Sequence, residues 1–159
     1  MFVTSHTLSG VLIGRAARGR PTAAFLAGVG SHLVLDSVPH WGCEIGDDVA
    51  YGQFLRVAKR DGLLGLAVIA AALAAADRRD LVSTIAAITG AVVLDLDKPC
   101  KFFFGFNPFP PTITRLHSRV QNESPDGMPK EIAYGSLLAM ADAVMISLGR
   151  RVGGRPGRR

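Results

Sequence analysis

Five long apolar stretches alternate with shorter polar connections along the chain. They cover residues 2–14, 21–36, 61–77, 80–95 and 131–150. Alanine, leucine and isolated glycines dominate these stretches, and none of them alternates with period two, so each is predicted to be an α-helix. A further short helix is predicted over residues 114–120. The pattern therefore predicts an all-α protein, an up-and-down bundle of about five apolar helices.

The connections and the C-terminus complete this organisation. Residues 41–58 begin acidic and become amphipathic, and residues 98–112 form an aromatic, proline-rich segment that is predicted to be a loop. The chain of 159 residues corresponds to one domain, predicted over residues 1–149. Residues 150–159 are rich in glycine and arginine and are predicted to be a disordered basic tail. Residues 30–39 and 90–99 resemble each other weakly, which leaves an internal duplication open.

Composition excludes several classes of protein. With 48% hydrophobic and 19% charged residues, the chain has ample apolar surface to bury and is not intrinsically disordered. Two cysteines, Cys43 and Cys100, are too few for a disulfide-stapled mini-domain or a four-cysteine zinc module. Buried free thiols are the default for these two residues, and a disulfide in an oxidising compartment is the alternative.

The distribution of charge favours a membrane protein. The third and fourth apolar stretches are apolar all round and rich in small residues, as in a buried core helix or a membrane helix. In an up-and-down bundle, ten arginines and two aspartates fall at one end, a net charge of +8, whereas the other end carries −2. This polarity matches the positive-inside pattern. We expect a membrane-embedded or membrane-associated protein of the bacterial inner membrane, without a cleavable signal peptide.

This orientation places the basic end and the C-terminus in the cytoplasm, and the N-terminus and the opposite end on the outer side. A soluble bundle with solvated arginines is the alternative, because runs of about 15 apolar residues are shorter than a usual membrane span.

The candidate chemistry gathers at the less basic end. His32 and Asp36 are spaced i, i+4 and would project from one face of a helix, and His40 lies just beyond it. A histidine–carboxylate face is a common way to hold a divalent metal. Aspartates at the end of the fourth helix, and the two remaining histidines, map to the same end. The predicted metal ligands are His6, His32, Asp36, His40, Asp95, Asp97 and His117, with zinc the favoured metal.

Three short segments resemble motifs of the bacterial membrane-bound metal-dependent hydrolases. Residues 5–10, Ser-His-Thr-Leu-Ser-Gly, are similar to a Thr-His-x-x-x-Gly opening. Residues 93–99, Val-Leu-Asp-Leu-Asp-Lys-Pro, resemble Pro-Asp-x-Asp-His-Pro, and residues 116–118, Leu-His-Ser, resemble a later Thr-His-Ser segment. The resemblance implies a small multi-helix membrane protein with a divalent metal site and hydrolase activity.

This chain departs from those motifs at defined positions. Lys98 stands where the motif has histidine, Leu94 replaces its first proline, and no His-Arg precedes Leu116. The segment from His32 to His40 is a candidate source of replacement ligands.

The sequence favours a membrane-associated metal-dependent hydrolase that acts on an ester or phosphoester, with lipids among the candidate substrates. A metal-activated water would attack the substrate, with Asp61 or Glu123 as general base. Candidate cations to stabilise an oxyanion are Lys98, Lys101, Arg115 and Arg119.

Other function classes remain open. The main alternative is a non-catalytic helical membrane subunit that binds a partner protein, or a second copy of itself, through its His/Asp end. Nucleic-acid binding through the arginine tail is disfavoured, because the tail lacks interleaved aromatic residues and a reading helix.

Overall fold

The computed structural model describes residues 1–42 and 48–153 and confirms the all-α prediction. The α-helices are α1 (Val3–Ala17), α2 (Pro21–Ser37), α3 (Asp48–Ala75), α4 (Arg78–Val92), α5 (Asp97–Phe104), α6 (Pro111–Val120) and α7 (Met128–Gly153). Two short 3₁₀ turns, Val93–Leu96 and Pro125–Gly127, precede α5 and α7.

Close packing of α1, α2 and α4 forms the centre of the molecule, and α3 and α7 pack on the outside of α1. Glycines permit this close approach. A Cβ atom at Gly10 would lie 2.7 Å from Ile88 Cα, and one at Gly14 would overlap Thr84 Cα. In the same way, Gly28 lies against the backbone carbonyl of Ala87. Small residues at helix crossings are the device by which apolar helices pack backbone to backbone.

Several boundaries differ from those the sequence predicted. Helix α3 begins at Asp48 rather than near Asp61, so the amphipathic part of residues 41–58 is its first half. The segment 98–112, predicted to be a loop, contains all but the first residue of α5, whose C-cap residue Gly105 has a positive φ of 73°. Helix α7 continues to Gly153. The remainder of the predicted disordered tail, residues 154–159, lies outside the described residues, as does Cys43, whereas Cys100 is a free thiol.

A two-residue parallel bridge joins the segment after α2 to the segment after α6. It pairs His40 with Glu123 and Trp41 with Ser124. On either side of the bridge, Asn122 N–H donates to Asp36 O at 2.9 Å and Gly42 N–H donates to Ser124 O at 3.2 Å. These bonds fix the end of α6 beside the end of α2, although the two elements are more than 80 residues apart in sequence.

Burial is inverted relative to a water-soluble protein. Where side chains are described, twelve polar or charged residues are buried, against eight hydrophobic ones. Large apolar side chains point outward instead, including Leu26, Leu63, Leu66, Leu137 and Met140, each more than 60% exposed. One helical stretch among the described residues, Pro125–Leu148, is long and apolar enough to cross a membrane by itself.

The close α2–α4 contact predicts that a side chain at Gly28 is not tolerated. We expect Gly28→Leu to destabilise the fold by about 3 kcal/mol, because a Cβ there overlaps the α4 backbone. Gly30 on the same helix has no atom within 4 Å of the equivalent position, so Gly30→Leu is the matched control. Thermal unfolding followed by the fluorescence of the single tryptophan, Trp41, measures both. Equal unfolding temperatures for the two variants would contradict this account of the packing.

Candidate metal centre

Side chains from four parts of the chain meet at one end of the bundle. His6 comes from the first turns of α1, His32 and Asp36 from the last turns of α2, and His117 from α6. Asp95 comes from the 3₁₀ turn after α4. His6, His32 and Asp36 are fully buried, and His117 is 3% exposed. Five of the seven predicted ligands are therefore brought together.

Three donor atoms of this group form a nearly equilateral triangle. His32 Nε2 lies 3.0 Å from His117 Nε2, and Asp36 Oδ2 lies 3.1 Å from the first and 3.0 Å from the second. A tetrahedral zinc site with bonds of 2.0–2.1 Å has ligand–ligand edges of about 3.3 Å. The triangle thus has the size and the chemistry of one face of such a site.

The orientation of His32 supports this interpretation. Its Nδ1 lies 2.7 Å from Ala91 O, to which an Nδ1–H group donates. The proton on Nδ1 leaves the Nε2 lone pair directed at His117 and Asp36. A histidine that ligates a metal through one nitrogen and donates from the other to a carbonyl is the usual arrangement in metal sites.

The second carboxylate oxygen of Asp36, Oδ1, contacts further members of the cluster. Its Oδ1 accepts from His6 Nε2 at 3.1 Å and from the Met1 ammonium at 2.9 Å. The His6 ring stacks on His32 with a centroid separation of 4.0 Å, and His6 Nε2 lies 3.6 Å from Asp95 Oδ2. Two sets of three residues could each hold an ion, namely His6, His32 and Asp36, and His32, Asp95 and His117. The donor set fits a divalent metal.

Lys98, which stands where the hydrolase motif has a histidine, forms ion pairs with two carboxylates. Its Nζ lies 3.2 Å from Asp95 Oδ1 and 3.7 Å from Glu123 Oε1. Burial opposes the charge of the ammonium, but these two carboxylates outweigh it and raise the pKa of Lys98 to about 12. Burial likewise opposes ionisation of Asp95, but Lys98 and the neighbouring histidines hold the pKa of Asp95 below its usual value. Lys98 therefore stays cationic beside an ionised Asp95.

The other predicted site residues lie around this cluster. Asp97 Oδ2 is 3.9 Å from His117 Nδ1, so Asp97 lies at the outer edge of the cluster. His40 Nδ1–H donates to Val38 O at 2.8 Å, and its buried Nε2 points towards Glu123 Oε1 at 3.9 Å, so His40 lies beside the cluster and not within it.

Asp61 is used to cap α1. Its carboxylate accepts from Val3 N–H at 2.7 Å and from Thr4 N–H at 3.1 Å. Acidic groups stabilise a helix N-terminus because they satisfy its free N–H groups and its positive dipole end. Since both oxygens are engaged in this way, the structure favours Glu123, whose Oε1 has only longer contacts with Lys98 and His40 among the described residues, over Asp61 as the carboxylate that could accept a proton.

The sequence analysis missed Glu131, which is 1% exposed. Its Oε1 accepts from Phe2 N–H at 2.9 Å and from Ser5 Oγ at 3.1 Å, and its Oε2 from Trp41 N–H at 3.4 Å. Glu131 therefore ties α7 to the first turn of α1, which carries His6. The available signal was an acidic residue in the first turn of an apolar helix, which is also what an ordinary helix start contains.

An open cleft of about 650 Å³ adjoins the cluster. Asp95, Lys98 and Glu123 line one side of it, and Phe54, Phe102 and other apolar side chains line the other. A volume of this size is typical of a small-molecule site. The cleft opens on the Asp95 side of the candidate metal centre.

Comparisons with protein-family models, with curated proteins and with solved structures gave no match to this chain. The resemblance to metal-dependent hydrolases thus rests on the three short segments alone, and each contributes one residue to the cluster, namely His6, Asp95 and His117.

Proposed function

We propose that this protein is a metal-dependent hydrolase of an ester or phosphoester, and that the buried cluster at the end of the bundle holds one divalent metal, with zinc favoured. The observation that carries the proposal is the triangle of His32 Nε2, His117 Nε2 and Asp36 Oδ2. Lone pairs that converge at 3.0–3.1 Å are stable only where a proton or a cation lies among them. In the part of the chain that the structure describes, the carboxylates of Asp36, Asp95, Asp97 and Glu123 face only two cations here, the Met1 and Lys98 ammonium groups, which makes a further cation electrostatically favourable.

The chain supplies the remaining groups for hydrolysis. A divalent metal when bound lowers the pKa of water and polarises the ester oxygen. Glu123, which lines the cleft, accepts a proton from water as the new bond to phosphorus or carbon forms, and the proton passes to the departing alcohol oxygen as the ester bond breaks. The Lys98 ammonium lies in the same cleft, where it stabilises negative charge that develops on the substrate.

Metal binding is the first test of this proposal. Purified protein should bind zinc with a stoichiometry close to one, measured by elemental analysis and by competition with a chelating dye. His117→Gln removes one corner of the triangle, and we expect it to weaken zinc binding at least about 100-fold. Ser118→Ala changes the exposed neighbouring residue and is the matched control. Binding of no zinc, manganese or iron by the folded protein would sink the metal proposal.

Turnover is the second test. The zinc-loaded protein should hydrolyse bis(4-nitrophenyl) phosphate or 4-nitrophenyl butyrate. Glu123→Gln should lower kcat by about 10²–10⁴-fold without loss of metal, because it removes the base and not a ligand. Asp126→Asn, an exposed change in the same connection, serves as control. Bound zinc with no hydrolysis above the level of His117→Gln would instead favour a non-catalytic, partner-binding subunit.

We also propose that the bundle is embedded in a membrane, with its arginine end in the cytoplasm. Support comes from the outward-facing apolar side chains on α2, α3, α4 and α7 and from the buried polar interior. Arg15 Nε and Asp142 Oδ1 pair at 2.7 Å between α1 and α7, so that the acidic residue within the apolar helix α7 is neutralised. Helices α1, α2 and α4 contain 15–17 residues, about 23–26 Å, and the cluster at their ends would lie near the outer membrane–water interface.

Thiol accessibility tests this orientation. In a Cys43→Ser/Cys100→Ser background, Asn107→Cys should react with a membrane-impermeant maleimide in intact spheroplasts. Thr22→Cys at the arginine end should react only after permeabilisation. Both positions are exposed, so detergent-solubilised protein provides the control for intrinsic reactivity. Equal labelling in intact spheroplasts, or recovery of the protein in the soluble fraction, would refute the membrane proposal.

A further inference from the structure

A second cavity continues from the cleft along the outside of the bundle. It is a groove of about 230 Å³ between α3 and α4, lined by Ile69, Leu73, Ile85, Ile88, Thr89 and Val93. Val92 and Leu96 line both the groove and the cleft. The polar cleft at the candidate metal centre and the apolar groove are therefore neighbouring parts of one depression.

The two parts differ sharply in chemistry. The groove is lined almost entirely by apolar side chains, and it opens sideways, since Ile85 is 46% and Leu96 47% exposed. The groove lies beside a helix whose outward-facing side chains are also apolar, such as Leu63 and Leu66 of α3. An apolar chain that left a bilayer could enter it without passing through water.

The cleft carries cations where the groove ends. Lys59, Lys98 and Lys101 line it, and Lys98 lies next to the candidate metal ligand Asp95. Lys59 and Lys101 form none of the ion pairs found among the described residues, so they are available to an anionic group. A phosphate matches a cleft lined by three lysines beside a candidate metal ligand, whereas a neutral ester would not need these cations.

We propose that cleft and groove together form the binding site of a phospholipid, with the phosphate among Lys98, Lys101 and Lys59 and one acyl chain along the α3–α4 groove. This inference names the substrate class of the proposed hydrolase and rests on that function for turnover. Lipid binding itself needs neither metal nor catalysis.

Trp41 provides a local probe, because it is the single tryptophan of the chain and lines the cleft. Metal-free protein in maltoside micelles is titrated with phosphatidic acid brominated at carbons 6 and 7 of one acyl chain. Quenching of Trp41 should saturate at a low mole fraction of lipid and should be reversed by unbrominated phosphatidic acid. Brominated diacylglycerol, which lacks the phosphate, should bind about tenfold more weakly.

Two pairs of variants test separately the contact of the acyl chain with the groove and the contact of the phosphate with the lysines. Thr89→Phe fills the groove from an exposed position, and it should weaken binding of both lipids about tenfold. Val82→Phe, on the same helix but outside the groove, should leave binding unchanged. Lys101→Gln should remove most of the preference for phosphatidic acid over diacylglycerol, whereas Lys130→Gln, outside the cleft, should not.

The outcomes distinguish this inference from the proposed function. Saturable quenching with the expected variant pattern supports the lipid site even if the protein binds no metal. Non-saturable quenching, or equal effects of Thr89→Phe and Val82→Phe, overturns the lipid site even if zinc binds and a soluble ester is hydrolysed. Equal affinity for the two lipids overturns the assignment of a phosphate head and indicates a neutral lipid ester.

Discussion

The arrangement of the His/Asp end of this molecule depends on the contacts of one buried carboxylate, that of Asp36. An ionised carboxylate removed from water is destabilised by several kcal/mol unless donors surround it. Asp36 Oδ1 accepts from the Met1 ammonium and from His6 of α1, and Asp36 Oδ2 faces His117 Nε2 of α6 at 3.0 Å. Because these partners come from distant segments of the chain, the Asp36 carboxylate at the end of α2 ties α1 and α6 to α2. The same convergence creates the geometry of the candidate metal centre.

Contacts around the cluster hold its side chains in place. Asp61 and Glu131 together occupy the free N–H groups at the start of α1, so α3 and α7 both fix the turn that carries His6. The parallel bridge between His40–Trp41 and Glu123–Ser124 does the same for α6 and His117. Glycines at the helix crossings let α1, α2 and α4 approach closely enough for their ends to meet. These contacts position the side chains of the candidate metal centre.

Polar groups inside and apolar side chains outside give the protein a consistent physical character. In water, such an arrangement would expose a large apolar surface, which soluble monomers rarely do. In the bilayer that we propose, the same surface would face hydrocarbon, and the buried histidines and carboxylates would mark the functional region. On the membrane proposal, the candidate metal centre would be open to lipid through the lateral groove and to water through the polar cleft.

The sequence alone determined the helical class and most helix positions, because long stretches rich in alanine and leucine without period-two alternation leave little choice of secondary structure. It also placed all four histidines at one end, since short turns force successive helices to alternate in direction. It could not find the first half of α3 or α5, where amphipathic and proline-containing segments fit loop and helix equally well.

Only the tertiary structure decided which of the candidate residues meet. His40 and Asp61 have the same residue types and the same predicted location as the members of the cluster. His40 instead lies in a backbone bridge, and Asp61 caps a helix. In the sequence, Glu131 looks like an acidic residue at an ordinary helix start. Only the packing of α1 against α7 reveals its contacts with Phe2 and Ser5. Contacts between residues 30 to 130 positions apart depend on how helices cross, and local sequence patterns do not encode that geometry.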